Sequence, residues 1–404
     1  MAAELAIHLS ERKPRLLLVA GFGFARLLML LGLSSEALRG YGDFQTFFWL
    51  SELPGWPYMH SWAEFPPLFP WLSEALFRLS AGRQPVYELL LAFILSLADA
   101  GSLWIFSRLA ARLYGPSQAW LRSGLYLLVL LALPYSLWYF DPLAVFCFLA
   151  ALLALVEGRA GRGGLLAGLG ALFKLFPLLA LVATWRERSI KKAIRAVALA
   201  AGSVLVVYLA LYLISPAFTA ASLRSQAGKG SWETVWALID GNFQTGNFGS
   251  IAERVDPAAA GVLRRNPARI PPLVTLPIFG GLGLWALLRS KGKSGIASLA
   301  MVGLAWCLLL LWSPGYSVQW VLYLIPLLLL VFPLRLGALL TGAFALVNLM
   351  EWPVLLSRGR FDLLALPILL RTLLFVLAAI EFYQQAQVET FERQEITVSG
   401  RSAV

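Results

Sequence analysis

The sequence predicts an all-α fold, a polytopic membrane helical bundle. Of the 404 residues, 59% are hydrophobic and 14% are charged, with a mean hydropathy of +0.74. A soluble domain carries roughly 25% charged residues. Uncharged stretches long enough for a hydrocarbon core of ~30 Å recur along the chain, one of them from Ser294 to Leu334. These stretches lack the ten-residue alternation of membrane strands, so helices must satisfy the backbone in lipid.

Apolar runs place the spans along the whole chain. With a broken hairpin between the fourth and fifth runs, they predict about 11–12 transmembrane segments in one domain, residues 1–404. Basic residues precede the first run without a clear cleavage site after it, so we expect a retained first span. The predicted spans are 14–33, 88–110, 119–136, 141–157, 194–214, 270–288, 294–312, 318–334, 335–353 and 362–383.

Clusters of Lys and Arg between the spans set the predicted orientation, because short positive loops stay in the cytoplasm. Two long loops, 34–87 and 215–269, then lie outside the cell and form the site face. The first carries five acids against three bases, and its stretch 66–79 predicts a helix lying in the membrane interface. The cytoplasmic basic segments are 108–122, 159–162, 186–195, 289–293 and Arg335.

The segment 163–185 has basic loops on both sides, which a single crossing would place on opposite faces. A broken helical hairpin that enters and leaves from the cytoplasm resolves this conflict. Pro177 removes a backbone donor and supplies the break. The hairpin would carry Lys174 toward Asp43 in the outer half of the membrane. An ordinary span with one exposed basic loop remains the alternative.

Asp43 is the candidate catalytic residue, because it follows the first span at the water boundary among aromatic residues. A partly desolvated carboxylate there could act as a general base on an acceptor hydroxyl. A solvated loop charge is the simpler alternative. Nearby His60 and Glu64 are candidate substrate-binding residues, and Glu64 could instead cap the next helix. The aromatic and amide residues of loop 215–269 suit sugar faces and hydroxyls.

Four further residues are candidates for substrate binding. Lys174 and Arg371 lie in apolar runs, where an unpaired cation costs ~2.5–3.5 kcal/mol, so a phosphate could be the partner of either. Lys174 could also snorkel to the interface. Tyr316 and Gln319 follow a Pro-Gly turn at the mouth of a span, where a turn and an aromatic belt explain most of the pattern.

The sequence also predicts several absences. Cys147 and Cys307 lie in apolar runs without metal-ligand spacing, so we expect neither a disulfide nor a metal site. The net charge of +11 is spread over short membrane loops, which indicates topology and not nucleic-acid binding. Walker, GxSxG, HExxH and DxD motifs are absent, so no cofactor, ATP or nucleotide sugar is indicated.

Four short motifs occur in order: YGDFQ with Asp43, EFPPL with Glu64, FKLFP with Lys174 and Pro177, and SPGYSVQW. This order resembles the GT-C membrane glycosyltransferases, particularly the polyprenol-phosphate-mannose-dependent mannosyltransferases of glycosyltransferase family 87 and the first GPI mannosyltransferase. The resemblance implies a GT-C-like fold and sugar transfer from a polyprenyl-phosphate donor to a lipid or glycan acceptor. It also implies the outer face of a membrane, in bacteria the plasma membrane, where membrane lipids surround the chain.

Within that resemblance, Asp43 would be the base of an inverting displacement, while Lys174 and Arg371 would bind the donor phosphate.

Two other classes of protein would show the same pattern of apolar runs. A secondary transporter or flippase of lipid-linked sugars would usually show an internal repeat and midplane ionisable groups, whereas the acids here favour one outer face. A non-catalytic membrane assembly subunit is the third alternative, and loss of Asp43 would leave it unharmed.

Overall fold

The computed structural model describes residues 2–186 and 189–388, so Arg188 of the predicted basic segment lies outside it. Within these ranges the chain is helical, without a β-strand. The α-helices are α1 (Ala2–Gly32), α2 (Ser35–Arg39), α3 (Phe44–Ser51), α4 (Leu68–Leu79), α5 (Gln84–Tyr114), α6 (Pro116–Ala132), α7 (Tyr135–Trp138), α8 (Asp141–Val156), α9 (Ala160–Ala171), α10 (Ile190–Ile214), α11 (Pro216–Arg224), α12 (Val235–Asp240), α13 (Pro272–Arg289), α14 (Gly295–Trp312), α15 (Val321–Val331), α16 (Leu334–Leu349) and α17 (Ala365–Gln387). The 3-10 helices are Phe176–Arg186, Ala227–Lys229, Ile251–Val255, Pro257–Gly261, Val318–Trp320, Leu356–Arg358 and Phe361–Leu363, and a π-helix covers Met350–Leu355.

Seven segments of the described chain are long and apolar enough to cross a membrane: Lys13–Gly32, Gln84–Tyr114, Ile190–Ile214, Pro272–Arg289, Gly295–Trp312, Leu334–Arg358 and Phe361–Gln387. Three apolar helices are shorter, Asp141–Val156, Phe176–Trp185 and Val318–Val331. Large apolar side chains such as Leu31, Leu213 and Leu273 point outward and are more than 70% exposed. Lipid is the natural solvent for such a surface. The predicted all-α, multi-pass membrane fold is confirmed.

The uncharged stretch 294–334 forms two helices, α14 and α15, as predicted. Every residue of α15 is buried, and α14 packs beside it against α8 and α17. A helix that is apolar all round belongs inside a bundle. The Leu-rich run of α15 is therefore the centre of the fold and does not face lipid.

The basic loops and the acidic site residues lie at opposite ends of α8. Asp141 is its first residue, and Glu157 follows its last turn. At 1.5 Å per residue these positions are ~24 Å apart. Glu157 accepts a hydrogen bond from Arg108 at 2.8 Å and forms an ion pair with Arg159 at 3.2 Å. Two predicted cytoplasmic segments therefore meet at one end of the bundle, while Asp141 lies at the other.

The segment 163–185 turns back on itself. Lys174 lies in the turn between α9 and the 3-10 helix Phe176–Arg186, and Pro177 is the second residue of that 3-10 helix. The two arms pack on each other. Gly161 near the start packs against the first turns of α10, and Trp185 near the end donates a hydrogen bond to a carbonyl of α13 at 3.1 Å. The geometry agrees with the predicted broken hairpin.

Two charged residues on the helices have buried partners. Arg26 forms an ion pair with Asp99 at 3.3 Å, with both side chains at most 3% exposed. Arg122, which the sequence placed in a basic loop, lies inside α6 instead and is buried. It donates hydrogen bonds to the carbonyls of Leu329 and Phe332, the last of these at 3.0 Å. Because those carbonyls end α15, Arg122 stabilises a helix C-terminus.

Candidate functional site

Asp43 is held at its position by its backbone, which leaves its carboxylate free. Its N–H donates to the Trp138 carbonyl at 3.0 Å, immediately before α3. Gly42 packs so closely on Trp138 that a Cβ would lie 2.4 Å from that residue. The Asp43 side chain does not cap α3, and no described residue forms a hydrogen bond with it. The carboxylate is therefore fixed in place yet available to a ligand.

The surroundings of Asp43 make its carboxylate a stronger base than an ordinary aspartate. Burial is the largest effect and raises its pKa from 3.8 to about 7. The charge of Lys174 lowers this pKa, those of Glu64 and Asp141 raise it, and that of Lys229 lowers it slightly. Part of the side chain remains exposed to solvent. A carboxylate with a pKa near neutrality suits general base catalysis.

Lys174 lies near Asp43 but is already paired. Its Nζ lies 2.8 and 2.9 Å from the two Asp141 carboxylate oxygens. The side chains are 13% and 1% exposed, respectively. The ammonium also lies 5.1 Å from the centre of the Phe140 ring and 5.7 Å from that of Trp320. A donor phosphate at Lys174 would thus share the lysine with Asp141.

Lys229 is a second lysine of the site, which the sequence analysis missed. Its Nζ lies 4.2 Å from the centre of the Trp232 ring and 4.3 Å from that of Phe248. No carboxylate of the described chain lies within ion-pair distance of it. Burial lowers its pKa to about 7, with the charge of Lys174 as the next cause. The residue ends the short 3-10 helix Ala227–Lys229, and its local sequence GKG has no helical or strand period that distinguishes it.

Glu64 and His60 take different positions in loop 34–87. Glu64 is buried and forms an ion pair with Arg254 at 3.3 Å, whose guanidinium lies over the Trp62 ring at 4.0 Å. The structure shows no side-chain cap on α4, so Glu64 joins loop 34–87 to loop 215–269 instead of capping that helix. His60 is exposed, and its Nδ1 accepts the Trp56 N–H at 3.1 Å.

The turn 313–320 joins loop 215–269 to the site. Tyr316 donates its N–H to the Trp232 carbonyl at 3.0 Å and its hydroxyl to the Asn348 Oδ1 at 3.1 Å. Tyr316 is buried, and its ring lies 5.8 Å from that of Trp320. Gln319 is half-buried, and its side chain has no hydrogen-bond partner among the described residues. Its amide is therefore free for a ligand.

Arg371 is the seventh residue of α17. It is buried, donates hydrogen bonds to both Glu351 carboxylate oxygens and to the Glu233 carbonyl, and stacks over the Tyr316 ring at 3.8 Å. These contacts engage both terminal nitrogens of its guanidinium. A role of Arg371 at the donor phosphate stays a prediction, and it would require sharing with Glu351.

Glu233 is a further site residue that the sequence did not single out. Its φ of 54° is unusual for a residue other than glycine. The side chain is buried, and this burial raises its pKa, although Arg371 and Arg265 act in the opposite direction. Only the folded loop reveals it, because its sequence neighbours carry no chemical motif. Strained, buried carboxyls are concentrated at functional sites.

Within the described residues, no three His, Cys, Asp or Glu side chains gather as a metal site would require. Cys147 and Cys307 are buried and unpaired. The site is therefore built from carboxylates, two lysines and aromatic rings at one end of the bundle.

No family model matches this chain, and no curated protein sequence matches it. Among solved structures, the chain is similar to the Archaeoglobus fulgidus oligosaccharyltransferase tethered to an acceptor peptide containing the NVT sequon, at 14% identity and a TM-score of 0.41. A structure of the same enzyme with Zn and sulfate matches at 13% identity and a TM-score of 0.37. These matches cover 92% and 91% of this chain but 55% and 53% of the enzyme, so the chain spans about half the length of the solved structures that it matches.

Proposed function

We propose that this protein is a GT-C-like membrane glycosyltransferase that takes a sugar, mannose in the first instance, from a polyprenyl-phosphate donor on the outer face of the membrane. The observation that carries the proposal is Asp43, a carboxylate without a hydrogen-bond partner in the described chain, whose pKa is raised to about 7 beside two lysines and several aromatic rings. The motif order that resembles family 87 supports the choice of donor.

In this reaction Asp43 accepts the proton of the acceptor hydroxyl. The acceptor oxygen forms a bond to the anomeric carbon from the face opposite the lipid phosphate, and the carbon–phosphate oxygen bond breaks with inversion. No covalent enzyme intermediate is needed. The proton remains on Asp43 until the product leaves, and the electron pair of the broken bond stays on the phosphate.

Two lysines can stabilise the leaving phosphate, since fixed cations are most effective where negative charge develops. Lys229 is the more available of the two for a phosphate. No acid of the described chain forms an ion pair with it, whereas Lys174 is shared with Asp141. Trp232 and Trp320, whose ring centres are 6.2 Å apart, lie between these lysines and can form an apolar wall for a sugar ring. Gln319, Glu64 and Tyr316 then belong to the substrate-binding surroundings.

The experiment that tests the proposal uses purified protein in lipid nanodiscs. Radiolabelled mannose is offered as synthetic polyprenyl-phosphate-mannose, with membrane lipid and glycan acceptors, beside GDP-mannose as the nucleotide-sugar control. We expect label in an acceptor from the lipid-linked donor and none from GDP-mannose. No transfer from any polyprenyl-phosphate sugar would contradict the proposal, and movement of intact donor across a vesicle bilayer would indicate a flippase.

Replacing Lys174 with Met tests its role at the donor. If Lys174 binds the phosphate, Lys174→Met weakens donor binding more than acceptor binding. Asp141→Asn is the matched variant, because it releases Lys174 from its buried partner and so retains or strengthens donor affinity. Both affinities are measured by titration of donor and acceptor into nanodiscs. Equal damage to donor binding in the two variants would show that Lys174 only neutralises Asp141.

The activity should have a narrow pH optimum near neutrality. Asp43 must be ionised to accept a proton, so kcat/KM falls as the pH drops below its pKa of about 7. Lys229 must be charged to hold phosphate, so kcat/KM also falls as the pH rises above its pKa of about 7. A guanidinium stays charged at high pH, so Lys229→Arg should remove the alkaline fall alone. If the pH profile of Lys229→Arg matched that of the wild type, Lys229 would not be the group responsible for the alkaline fall.

A further inference from the structure

A polar pocket separate from the proposed catalytic site lies mainly in loop 215–269. It is open to solvent, has a volume of about 400 Å³, and is lined by residues 241–244 and 264–266 and by Phe361. Phe243 and Phe361 expose 45% and 38% of their surfaces there. Binding sites for small molecules commonly have volumes of ~300–1,000 Å³ with a few fixed polar groups.

The walls of this pocket are fixed by amide hydrogen bonds. Asn242 donates to the Ser231 hydroxyl at 2.9 Å and accepts the Asn266 N–H at 3.0 Å. Asn266 in turn donates its side-chain amide to the Asp240 carbonyl at 3.0 Å. These bonds join the two lining segments into one preformed surface. Binding a ligand there requires little further ordering.

The pocket carries one uncompensated positive charge. Arg264 forms an ion pair with Glu253, which balances its charge. Arg265 donates through its Nη1 to the Gln244 Oε1 at 3.2 Å, and no carboxylate of the described chain forms an ion pair with it. The acid whose charge acts on Arg265 is Glu233, and burial raises the pKa of that carboxyl, so its own negative charge is disfavoured. The guanidinium of Arg265 is half-buried and forms no ion pair in the described chain, so its outer N–H groups suit an anionic oxygen.

The chain segment 229–233 separates this pocket from the proposed catalytic site. Lys229 and Trp232 lie on the catalytic side of the segment. On the pocket side, Arg265 packs so closely on Gly230 that a Cβ there would come within 2.8 Å of its side chain. The pocket and the proposed catalytic site therefore adjoin through this segment.

We propose that this pocket binds an anionic saccharide unit of the acceptor, with its apolar face on Phe243 and Phe361 and its carboxylate or phosphate on Arg265. Exposed aromatic rings pack on the C–H faces of sugars, and guanidinium forms strong hydrogen bonds to anionic oxygens. The assignment to an acceptor rests on the proposed function. Saccharide binding itself does not depend on any transfer reaction.

Binding is measured by saturation-transfer NMR and calorimetry on the full chain in nanodiscs, without donor. The probes are trigalacturonate, mannose 6-phosphate and neutral galactotriose, which separate a carboxylate, a phosphate and an uncharged sugar. Arg265→Gln is compared with Arg269→Gln, an exposed arginine of the same loop that does not line the pocket. Losing one charge-assisted hydrogen bond should weaken the anionic probe about tenfold.

The proposal is supported if an anionic probe binds the wild type and Arg269→Gln alike, binds Arg265→Gln about tenfold more weakly, and exceeds galactotriose in affinity. Whichever anionic probe binds more tightly identifies the charged group. Equal binding of galactotriose and the anionic probes would overturn it, as would binding that Arg265→Gln leaves unchanged or no saturable binding at all. Because donor is absent, failure of sugar transfer would contradict the proposed function without affecting this result.

Discussion

Asp43→Asn is expected to abolish sugar transfer while the protein folds and binds donor normally. The amide has the shape of the carboxylate but cannot accept the acceptor proton, and general base catalysis contributes about 10²–10⁴-fold to such reactions. Because no described side chain is hydrogen-bonded to Asp43, the change breaks no internal contact. Initial rates of mannose transfer, measured with donor binding on the same preparation, check this expectation.

Glu52→Gln is the matched control for that experiment. Glu52 lies in the same loop, 34–87, at the end of α3, but it is exposed and forms no ion pair within the described chain. It should transfer at the wild-type rate. Near-normal turnover by Asp43→Asn would remove the proposed base, and equal losses in both variants would point to a general effect of charge in the loop.

Glu351→Ala is expected to cause the largest loss of stability. Glu351 and Arg371 form a buried ion pair whose side chains are 0% and 3% exposed. Removing one partner of such a pair leaves a buried charge and costs about 3–5 kcal/mol. Asp362→Ala, which removes an exposed ion pair with Arg360 near the start of α17, is the control and should leave stability unchanged. Denaturant unfolding in nanodiscs compares the two.

The double variant Glu351→Leu/Arg371→Met distinguishes a role of this ion pair in stability from a role of Arg371 in donor binding. Apolar residues of similar size often replace a buried pair without loss, so the double variant should regain most of the stability that Glu351→Ala loses. Restored stability with full transfer would show that Arg371 only holds the fold. Restored stability with lost donor binding would support the predicted role of Arg371 at the phosphate.

The membrane fold could be predicted from the sequence because hydropathy and loop charge act over short stretches of chain. Length and composition alone indicated all seven long apolar helices, and the basic loops around residues 163–185 indicated the broken hairpin. Arg122 shows where this reasoning fails. The sequence predicts that its charge lies in a cytoplasmic loop, whereas the fold buries it against the carbonyl end of α15. A charge with a distant backbone partner cannot be recognised in sequence.

The candidate site could be predicted only in part. Asp43, Glu64 and Lys174 follow recognisable motifs near the ends of apolar runs. Lys229 and Glu233 lie in an irregular loop and gain their shifted pKa values from burial and from charges contributed by other segments. The pairings of Lys174 with Asp141 and of Arg371 with Glu351 join residues that are 33 and 20 positions apart. No local pattern records such contacts.

The sequence by itself thus determined that this chain is a helical membrane bundle, because the lipid solvent constrains every apolar run independently. The tertiary structure alone decided which charged side chains of the candidate site are neutralised by an ion pair and which remain available to a ligand. Lys174 and Arg371 are held by buried carboxylates, while Asp43 and Lys229 have no such partner in the described chain. The reason is that burial and pairing depend on side chains that approach only when distant segments pack together.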